Sequence, residues 1–239
     1  MISIPALQGI IDRRILVNYA ADPAVVQSLI PFPFRPKQFR GKAIVGICLI
    51  RLTHIRPRGL PRWMGISSEN GAHRIAVEWD EEGITREGVF IPRRDTSSVF
   101  NSMVGGRLFP GRHFLAKFDV REGEGKFHVA FKSSDETVIS IDAQNAETFD
   151  PVSVFGTLEN ASRFFEGGAL GYSPHGNTLQ GMRLAIGGWE VSPLEVSSVR
   201  SSFFEDKALF PKGSVVFDHA LLMTRIPHEW HSVASRKMR

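Results

Sequence analysis

The chain has 239 residues, a formal net charge of +4, 42% hydrophobic residues and 23% charged residues. These are the values of an ordinary globular protein, and all-β domains often reach this size, so we predict one domain over residues 1–239. The single cysteine, Cys48, excludes an intrachain disulfide and a thiolate metal cluster.

The N-terminal segment Met1–Asp12 has neither an early basic residue nor a continuous apolar stretch, which is not the pattern of a signal peptide. No apolar run approaches the roughly 20 residues of a membrane-spanning helix. We therefore predict a cytoplasmic protein without a membrane partner. The basic residues are spread along the chain, which argues against a nucleic-acid partner. A homo-oligomer is neither predicted nor excluded.

The first elements are a strand over Arg14–Tyr19 and a helix over Pro23–Leu29, where Asp22 precedes a proline at the first helical position. The run Ala43–Leu52 is almost continuously apolar, which predicts a strand that is buried on both faces. Gly46 inside it indicates a bulge or a close approach of another segment. We interpret Cys48, in the same run, as a buried small hydrophobe.

The next segment, His73–Trp79, alternates as a strand does. His73 and Trp79 share a face with Ile75 and Val77. The opposite face carries Arg74, Ala76 and Glu78. We interpret this second face as solvated, unless it lines the interior of a closed sheet.

The remaining pattern is also rich in strands. Helices are predicted from Asp95 or Thr96 to Val104, and from Thr157 or Glu159 to Phe165, where we interpret the apolar residues as core packing. The further strands are predicted over 87–91, 112–120, 126–132, 137–143, 182–186, 189–191, 194–199 and 215–223. Frequent strands with short turns predict a mainly β protein, with an antiparallel sandwich or barrel.

Several motifs of known chemistry are missing from the sequence. There is no Gly-x-Ser-x-Gly, no Walker loop and no Gly-x-Gly-x-x-Gly fingerprint. His228 and His231 are three residues apart, whereas a zinc helix of the metalloprotease type needs a spacing of four. We therefore predict no cofactor and no metal, and interpret His228–His231 as a surface or interface segment.

One stretch concentrates polar chemistry: residues 91–96 and 105–113 bring arginines, an aspartate and a histidine to strand ends and glycine-rich turns. Arg94, Arg107 and Asp95 are candidate ligand-binding residues, because the planar arginine fork matches a carboxylate or phosphate. Strand alternation places Arg93 and Arg94 on opposite faces, so at most one points inward. The alternative is an ion-pair scaffold without a ligand.

Five segments resemble the YqjF-like family of uncharacterised conserved bacterial proteins, within the acetoacetate decarboxylase-like superfamily. They are Asp12–Asn18, Ala72–Trp79, Gly88–Thr96, Gly105–Gly111 and Phe164–Pro174, and the resemblance runs from about Ile11 to about His231. It implies an antiparallel β fold, closed or cone-shaped, around a central cavity. Arg14 and Tyr172, which lie in two of these segments, complete the ligand-binding candidates.

The resemblance also bears on catalysis. Acetoacetate decarboxylases carry a lysine that forms a Schiff base with a β-keto acid, but His113 and Phe114 occupy the corresponding positions here. Lys117 is the remaining candidate for that role, and His113 is a candidate acid or base. Two hypotheses follow. The protein is either an enzyme acting on a small organic acid or carbonyl compound, or a non-catalytic small-molecule-binding or sensor protein.

Overall fold

The computed structural model describes residues 6–99 and 111–238, and this part of the chain is mainly β-structure. The strands are β1 (Leu7–Ala21), β2 (Arg35–Pro36), β3 (Gln38–Phe39), β4 (Lys42–Pro57), β5 (Ile66–Glu81), β6 (Ile84–Thr96), β7 (His113–Gly123), β8 (Lys126–Ser133), β9 (Val138–Asn145), β10 (Leu170–His175), β11 (Thr178–Ile186), β12 (Ser192–Ser201) and β13 (Val215–Lys237). The helices are α1 (Pro23–Leu29), a 3-10 turn (Arg62–Met64), α2 (Leu158–Glu166) and α3 (Ser202–Glu205).

The strands belong to one mixed sheet that curls in a ring, and the strand pairings form two closed circuits. The first circuit runs through β13, β1, β4, β5, β6, β10 and β11, and returns to β13. The second shares β13, β1, β4, β5 and β6, and continues through β7, β8, β9 and β12. The long β13 makes both possible, since its outer edge pairs with β12 near Leu221 and with β11 from His228 onward.

The five shared strands bury both faces, one in each circuit. Side chains of a strand alternate between faces, so Ile15 packs in one apolar cluster and Leu16 in the other. In β4, Val45 and Ile47 belong to the first cluster and Cys48 to the second. This arrangement confirms the prediction, from the apolar run, of a strand that is buried on both faces.

The fold class predicted from the sequence is confirmed as mainly β, with two parallel pairings in an otherwise antiparallel sheet. The parallel pairs join β6 to β7 and β6 to β10. Helix α1 is confirmed, with the Asp22 carboxylate accepting a hydrogen bond from the Ala24 backbone N–H at 2.8 Å. Helix α2 is confirmed as well, capped by Thr157, and its Phe164 and Phe165 pack in the core.

Three predictions of elements are wrong in part. Residues 189–191 are not a strand. The last strand does not end at Met223, because pairing with β1 and β11 carries β13 past Pro227 to Lys237. The segment His228–His231 is therefore strand, and His228 is buried. Asp95 and Thr96 are the last residues of β6, and the predicted helix begins later, at Val99; its residues 100–104 lie outside the described residues.

Among the described helices, none has the length and apolar character needed to cross a membrane.

Candidate functional site

The first circuit holds a partly open cavity of about 120 Å³. Its apolar wall includes Ile11, Ile91 and Leu184, and its polar lining includes Arg14, Cys48, Asn70, Arg74, Arg94 and His113. An engineered apolar cavity of roughly 150 Å³ holds benzene, so this volume suits a molecule of about five or six heavy atoms. The site is therefore small, and its polar groups are dominated by arginine.

Strand register explains why these side chains meet. Five residues on the successive strands β1, β4, β5, β6 and β7 are register partners and form one row across the wall of the cavity. In strand order they are Leu16, Cys48, Ala72, Arg94 and His113. Adjacent strands are 4.7–4.9 Å apart, which puts the Cα atoms of Cys48 and Arg94 about 10 Å apart across Ala72. The small Ala72 side chain leaves the space between them to the cavity.

Two arginines converge on Cys48 from neighbouring strands. Arg14 lies opposite Ile50 and Arg74 lies opposite Gly46, so each is a diagonal neighbour of Cys48. The Cys48 Sγ atom accepts hydrogen bonds from Arg74 Nε at 3.2 Å and from an Arg14 terminal nitrogen at 3.5 Å. Cys48 is 3% exposed, and both contacts of its sulfur in this part of the wall are with cationic side chains.

Gly46 is the residue that lets Arg74 take this position. It lies between Asn18 on β1 and Arg74 on β5, and the Asn18 Oδ1 atom accepts a hydrogen bond from Arg74 across it. A Cβ atom at Gly46 would be 2.2 Å from the Val17 carbonyl oxygen and 3.3 Å from Asn18 Oδ1. The close approach predicted from the glycine in an apolar run is thus confirmed.

Asn18 also continues a buried polar chain away from the cavity. The Asp218 carboxylate accepts from His219 Nδ1 at 2.5 Å and from Ser153 Oγ at 2.7 Å. With Nδ1 as the donor, His219 Nε2 is the acceptor and receives the Asn18 amide N–H at 2.9 Å. Burial lowers the pKa of His219 in spite of Asp218, so the ring is neutral. The chain orients the Asn18 oxygen towards Arg74.

The charges of the cavity are unbalanced within the described part of the chain. No carboxylate there forms an ion pair with Arg14 or Arg74, although Arg74 is only 4% exposed. The Arg74 guanidinium lies 4.7 Å from the Phe165 ring centre, and Arg14 Nε has no hydrogen-bond partner among the described residues. A buried guanidinium normally pairs with a carboxylate, so these two arginines leave an excess of positive charge at the cavity wall.

The pKa shifts follow from burial and from these charges. Burial alone would raise the pKa of the Cys48 thiol, but the charges and hydrogen bonds of Arg14 and Arg74 outweigh it and the pKa is lowered. Burial lowers the pKa of Arg94 to about 10, which leaves it protonated at neutral pH. Burial and then the Arg94 charge lower the pKa of His113 to about 4. His113 is therefore neutral at pH 7 and a weak base.

The structure brings four of the predicted site residues to the cavity, namely Arg14, Arg94, Asp95 and His113. Asp95 lies at the cavity wall, where its carboxylate accepts hydrogen bonds from Arg93 and Ser133. The prediction that at most one of the adjacent arginines points inward is confirmed, because Arg93 lies on the opposite face with Asp95 and Asp135.

Other candidates lie elsewhere. Tyr172 packs against Trp79 in the core, and its hydroxyl oxygen accepts a hydrogen bond from Arg236 at 2.9 Å. Lys117 is exposed on β7 and is not part of the cavity lining. The candidate Arg107 lies outside the described residues.

Sequence reasoning missed Cys48 and Arg74. The interpretation of the Arg74 face as solvated is wrong, because that face lines the interior of the first circuit. The interpretation of Cys48 as a buried small hydrophobe is confirmed in its burial, but the contacts of its sulfur with Arg14 and Arg74 were not predicted. The available signals were Gly46 in an apolar strand and an arginine within the apolar alternation of β5.

Metal binding has no support in the described residues, where no group of three or more His, Cys, Asp and Glu side chains is arranged to hold an ion.

Comparisons with known proteins agree with this architecture. The model of the DUF2071 family, described as an uncharacterised conserved protein, matches residues 11–222. No curated protein shows significant similarity to the chain.

Several solved structures share the fold. The acetoacetate decarboxylase of Legionella pneumophila is 14% identical, with a TM-score of 0.62 over 96% of this chain and 87% of that chain. An acetoacetate decarboxylase-like enzyme of Sphingomonas wittichii is 12% identical, with a TM-score of 0.59 over 100% and 94%. The enduracididine biosynthesis enzyme MppR, solved with pyruvate, is 10% identical, with a TM-score of 0.60 over 100% and 92%. At such identities the likeness concerns the fold alone.

Proposed function

This chain belongs to the DUF2071 family of uncharacterised conserved proteins, and from that premise we propose that it binds a small organic acid in the arginine-lined cavity. The observation that carries the proposal is the pair Arg14 and Arg74, which reach the cavity without a carboxylate partner among the described residues. Together with Arg94 they offer several N–H donors to a carboxylate, which guanidinium groups bind in two parallel hydrogen bonds.

The size of the cavity limits the ligand. A volume of about 120 Å³ suits a three- or four-carbon acid rather than a nucleotide or a sugar phosphate. Pyruvate has six heavy atoms and is the molecule found with MppR, a protein of the same fold. The apolar wall formed by Ile11, Ile91 and Leu184 favours a ligand with a short hydrocarbon part beside its carboxylate.

Two versions of this function differ in what happens after binding. In the first, the protein is an enzyme that acts on the carbonyl group of the acid. In the second, it is a binding or sensor protein that releases the acid unchanged. The second is favoured by the absence of any lysine from the described cavity lining, which removes Schiff-base chemistry from that wall.

Titration calorimetry tests the binding proposal. We expect pyruvate and lactate to bind and acetone, which lacks the carboxylate, not to bind. Arg94→Met should lower the affinity for both acids at least tenfold, because one charged hydrogen-bonding group contributes roughly 1.5–3 kcal/mol to binding. Arg112→Met is the matched control, since Arg112 is an exposed arginine from the same stretch and does not line the cavity. If the wild-type protein, Arg94→Met and Arg112→Met all bind the two acids with equal affinity, the assignment of this cavity as the binding site is refuted.

Turnover separates the two versions. Proton NMR of pyruvate and of short keto acids, incubated with the wild-type protein, reports any conversion directly. A new product that Arg94→Met forms more slowly identifies an enzyme. Binding without a product over many hours, with a ligand that is recovered unchanged, identifies a binding protein.

A further inference from the structure

Cys48 lies in the wall of the proposed binding cavity and is the only cysteine of the chain. Its Sγ atom contacts two guanidinium groups, at 3.2 Å from Arg74 and 3.5 Å from Arg14. Neutral thiols are weak nucleophiles, whereas thiolates are strong ones, and neighbouring arginines favour the thiolate. The same wall carries Arg94, two strands away in the row through Ala72.

A second observation, independent of the cysteine, points to an anion at this place. Arg74 is 4% exposed, has no carboxylate partner in the described part of the chain, and faces the cavity. Its contact with Asn18 is to a neutral amide oxygen, and the carboxylate of Asp218 lies two residues further along the polar chain. Arg14, Arg74 and Arg94 carry three positive charges, so ionised Cys48 and Asp95 together still leave the cavity wall cationic.

We propose that the Cys48 thiolate is a nucleophile that adds reversibly to the carbonyl carbon of a small keto acid or aldehyde acid held in the cavity. This inference rests on the proposed function and deepens it, because it names the reactive group of the ligand. The substrate class is a carboxylate that bears an electrophilic carbonyl group, such as pyruvate or glyoxylate.

The reaction step balances without a further reagent. A sulfur electron pair forms the S–C bond, and the π pair of the C=O bond moves to oxygen. The resulting oxyanion is stabilised by guanidinium N–H donors or takes a proton from water. No group leaves and no electron is transferred, so the tetrahedral adduct reverts to thiolate and ketone. The ligand carboxylate stays with arginine throughout.

The position of Cys48 suits this role better than that of Lys117. Lys117 is exposed on β7 and does not line the cavity, whereas Cys48 does. His113, at the far end of the same row, has a pKa of about 4 and is therefore neutral at pH 7. Its ring adds no charge to the cavity. The charges of Arg14 and Arg74 lower the pKa of the Cys48 thiol, which favours the thiolate.

Carbon-13 NMR of 2-¹³C-pyruvate with the wild-type protein tests the proposal. We expect a new resonance of a tetrahedral carbon, which is absent with Cys48→Ser and retained with Lys117→Met. Lactate, which has no carbonyl group, should bind the wild-type protein without giving any tetrahedral adduct. Pyruvate should lose at least tenfold in affinity on Cys48→Ser.

The outcomes distinguish this proposal from the function it rests on. Pyruvate and lactate that bind, with no tetrahedral resonance and no change on Cys48→Ser, would overturn the nucleophile and leave the anion site intact. An adduct that persists in Cys48→Ser and disappears in Lys117→Met would overturn it in favour of the lysine. If neither acid binds the wild-type protein, both proposals fail.

A second measurement needs no folded cysteine variant. The alkylation rate of the native protein by iodoacetamide, followed by intact mass, should reach half of its plateau at least one pH unit below the usual thiol value of about 8.5. Lactate at saturation should slow the reaction at least fivefold. Alkylation that requires urea, or a midpoint at or above pH 8.5, would overturn the proposal.

Discussion

Two pairs of adjacent arginines show how differently the two faces of this sheet use the same side chain. Arg13 bonds to Glu69 and Glu122, whereas Arg14 reaches Cys48 on the other face. In β6, Arg93 bonds to Asp95 and Asp135, whereas its neighbour lines the cavity. One face holds arginines within ion-pair networks, and the other presents them to the cavity.

The difference teaches that the chemical type of a residue does not identify its role, but its partners do. An arginine between two carboxylates is satisfied, and its removal leaves a buried charge behind. An arginine without a carboxylate, as Arg14 and Arg74 are among the described residues, is an unbalanced cation whose burial costs stability. We infer that the chain retains such residues for a ligand, and the following experiments test that inference.

The largest effect is expected from Arg93→Met, on the paired face. Asp95 is 1% exposed and burial already raises its pKa, so without Arg93 the carboxylate must either stay charged without its cation or take up a proton, and both cost stability. Removal of one partner of a buried pair costs about 3–5 kcal/mol. Urea unfolding at pH 7, followed by tryptophan fluorescence, measures the loss.

Arg94→Met is the control for that experiment. Arg94 lines the cavity on the opposite face and does not bond to the buried Asp95, so we expect its removal to lower the free energy of unfolding by less than that of Arg93. Equal destabilisation by both substitutions would erase the distinction between the two faces.

The second effect concerns His73, which lies on the paired face 3.6 Å from Asp95. Burial and then the Arg93 charge lower its pKa to about 3, so the folded protein holds the ring neutral. In the unfolded chain His73 binds a proton near pH 6.5. Its contribution to the free energy of unfolding is therefore fully present above that pH and is lost as the pH falls towards 3. Between pH 7 and pH 5 this histidine alone should remove about 2 kcal/mol.

His73→Leu tests this assignment, because leucine has a similar volume and cannot take a proton. The stability difference between pH 7 and pH 5, from urea unfolding, should be about 2 kcal/mol smaller than in the wild-type protein. An unchanged difference would mean that another group, such as His228 with its pKa of about 4, accounts for the acid sensitivity.

The third effect compares the neighbours Arg13 and Arg14 in ligand binding. Arg14→Met should weaken pyruvate about tenfold, equivalent to about 1.4 kcal/mol, since it removes donors from the cavity. Arg13→Met should lower stability through the loss of the contacts with Glu69 and Glu122, yet leave the affinity of the folded protein unchanged. Calorimetric titration below the unfolding temperature measures both. Weaker binding in Arg13→Met alone would reverse the roles of the two faces.

Local sequence patterns predicted many of the strands and the opposite orientation of two adjacent arginines. The alternation of His73, Ile75 and Val77 placed their face correctly, and adjacency alone separated Arg93 from Arg94. Contacts between residues on different strands could not be predicted from local patterns. Arg74 and Cys48 are 26 residues apart, and only the register through Gly46 brings them together. The closure of the first circuit decides whether a polar face meets water or a cavity, and it depends on pairings between distant strands.

The smallest effect is expected from Lys117→Met, and it bears on how far the likeness to acetoacetate decarboxylases extends. Lys117 pairs in register with Lys132 on β8, and its side chain is exposed. A Schiff base requires contact between the lysine amine and the carbonyl carbon of the keto acid, and Lys117 lies outside the cavity lining. We therefore expect Lys117→Met to bind pyruvate with an affinity within twofold of the wild-type value. The wild-type protein should show no mass increase at Lys117 after treatment with pyruvate and borohydride. A stable adduct at Lys117 would show that the cavity wall seen here is not the reacting surface, and would move the site to the outer face of β7.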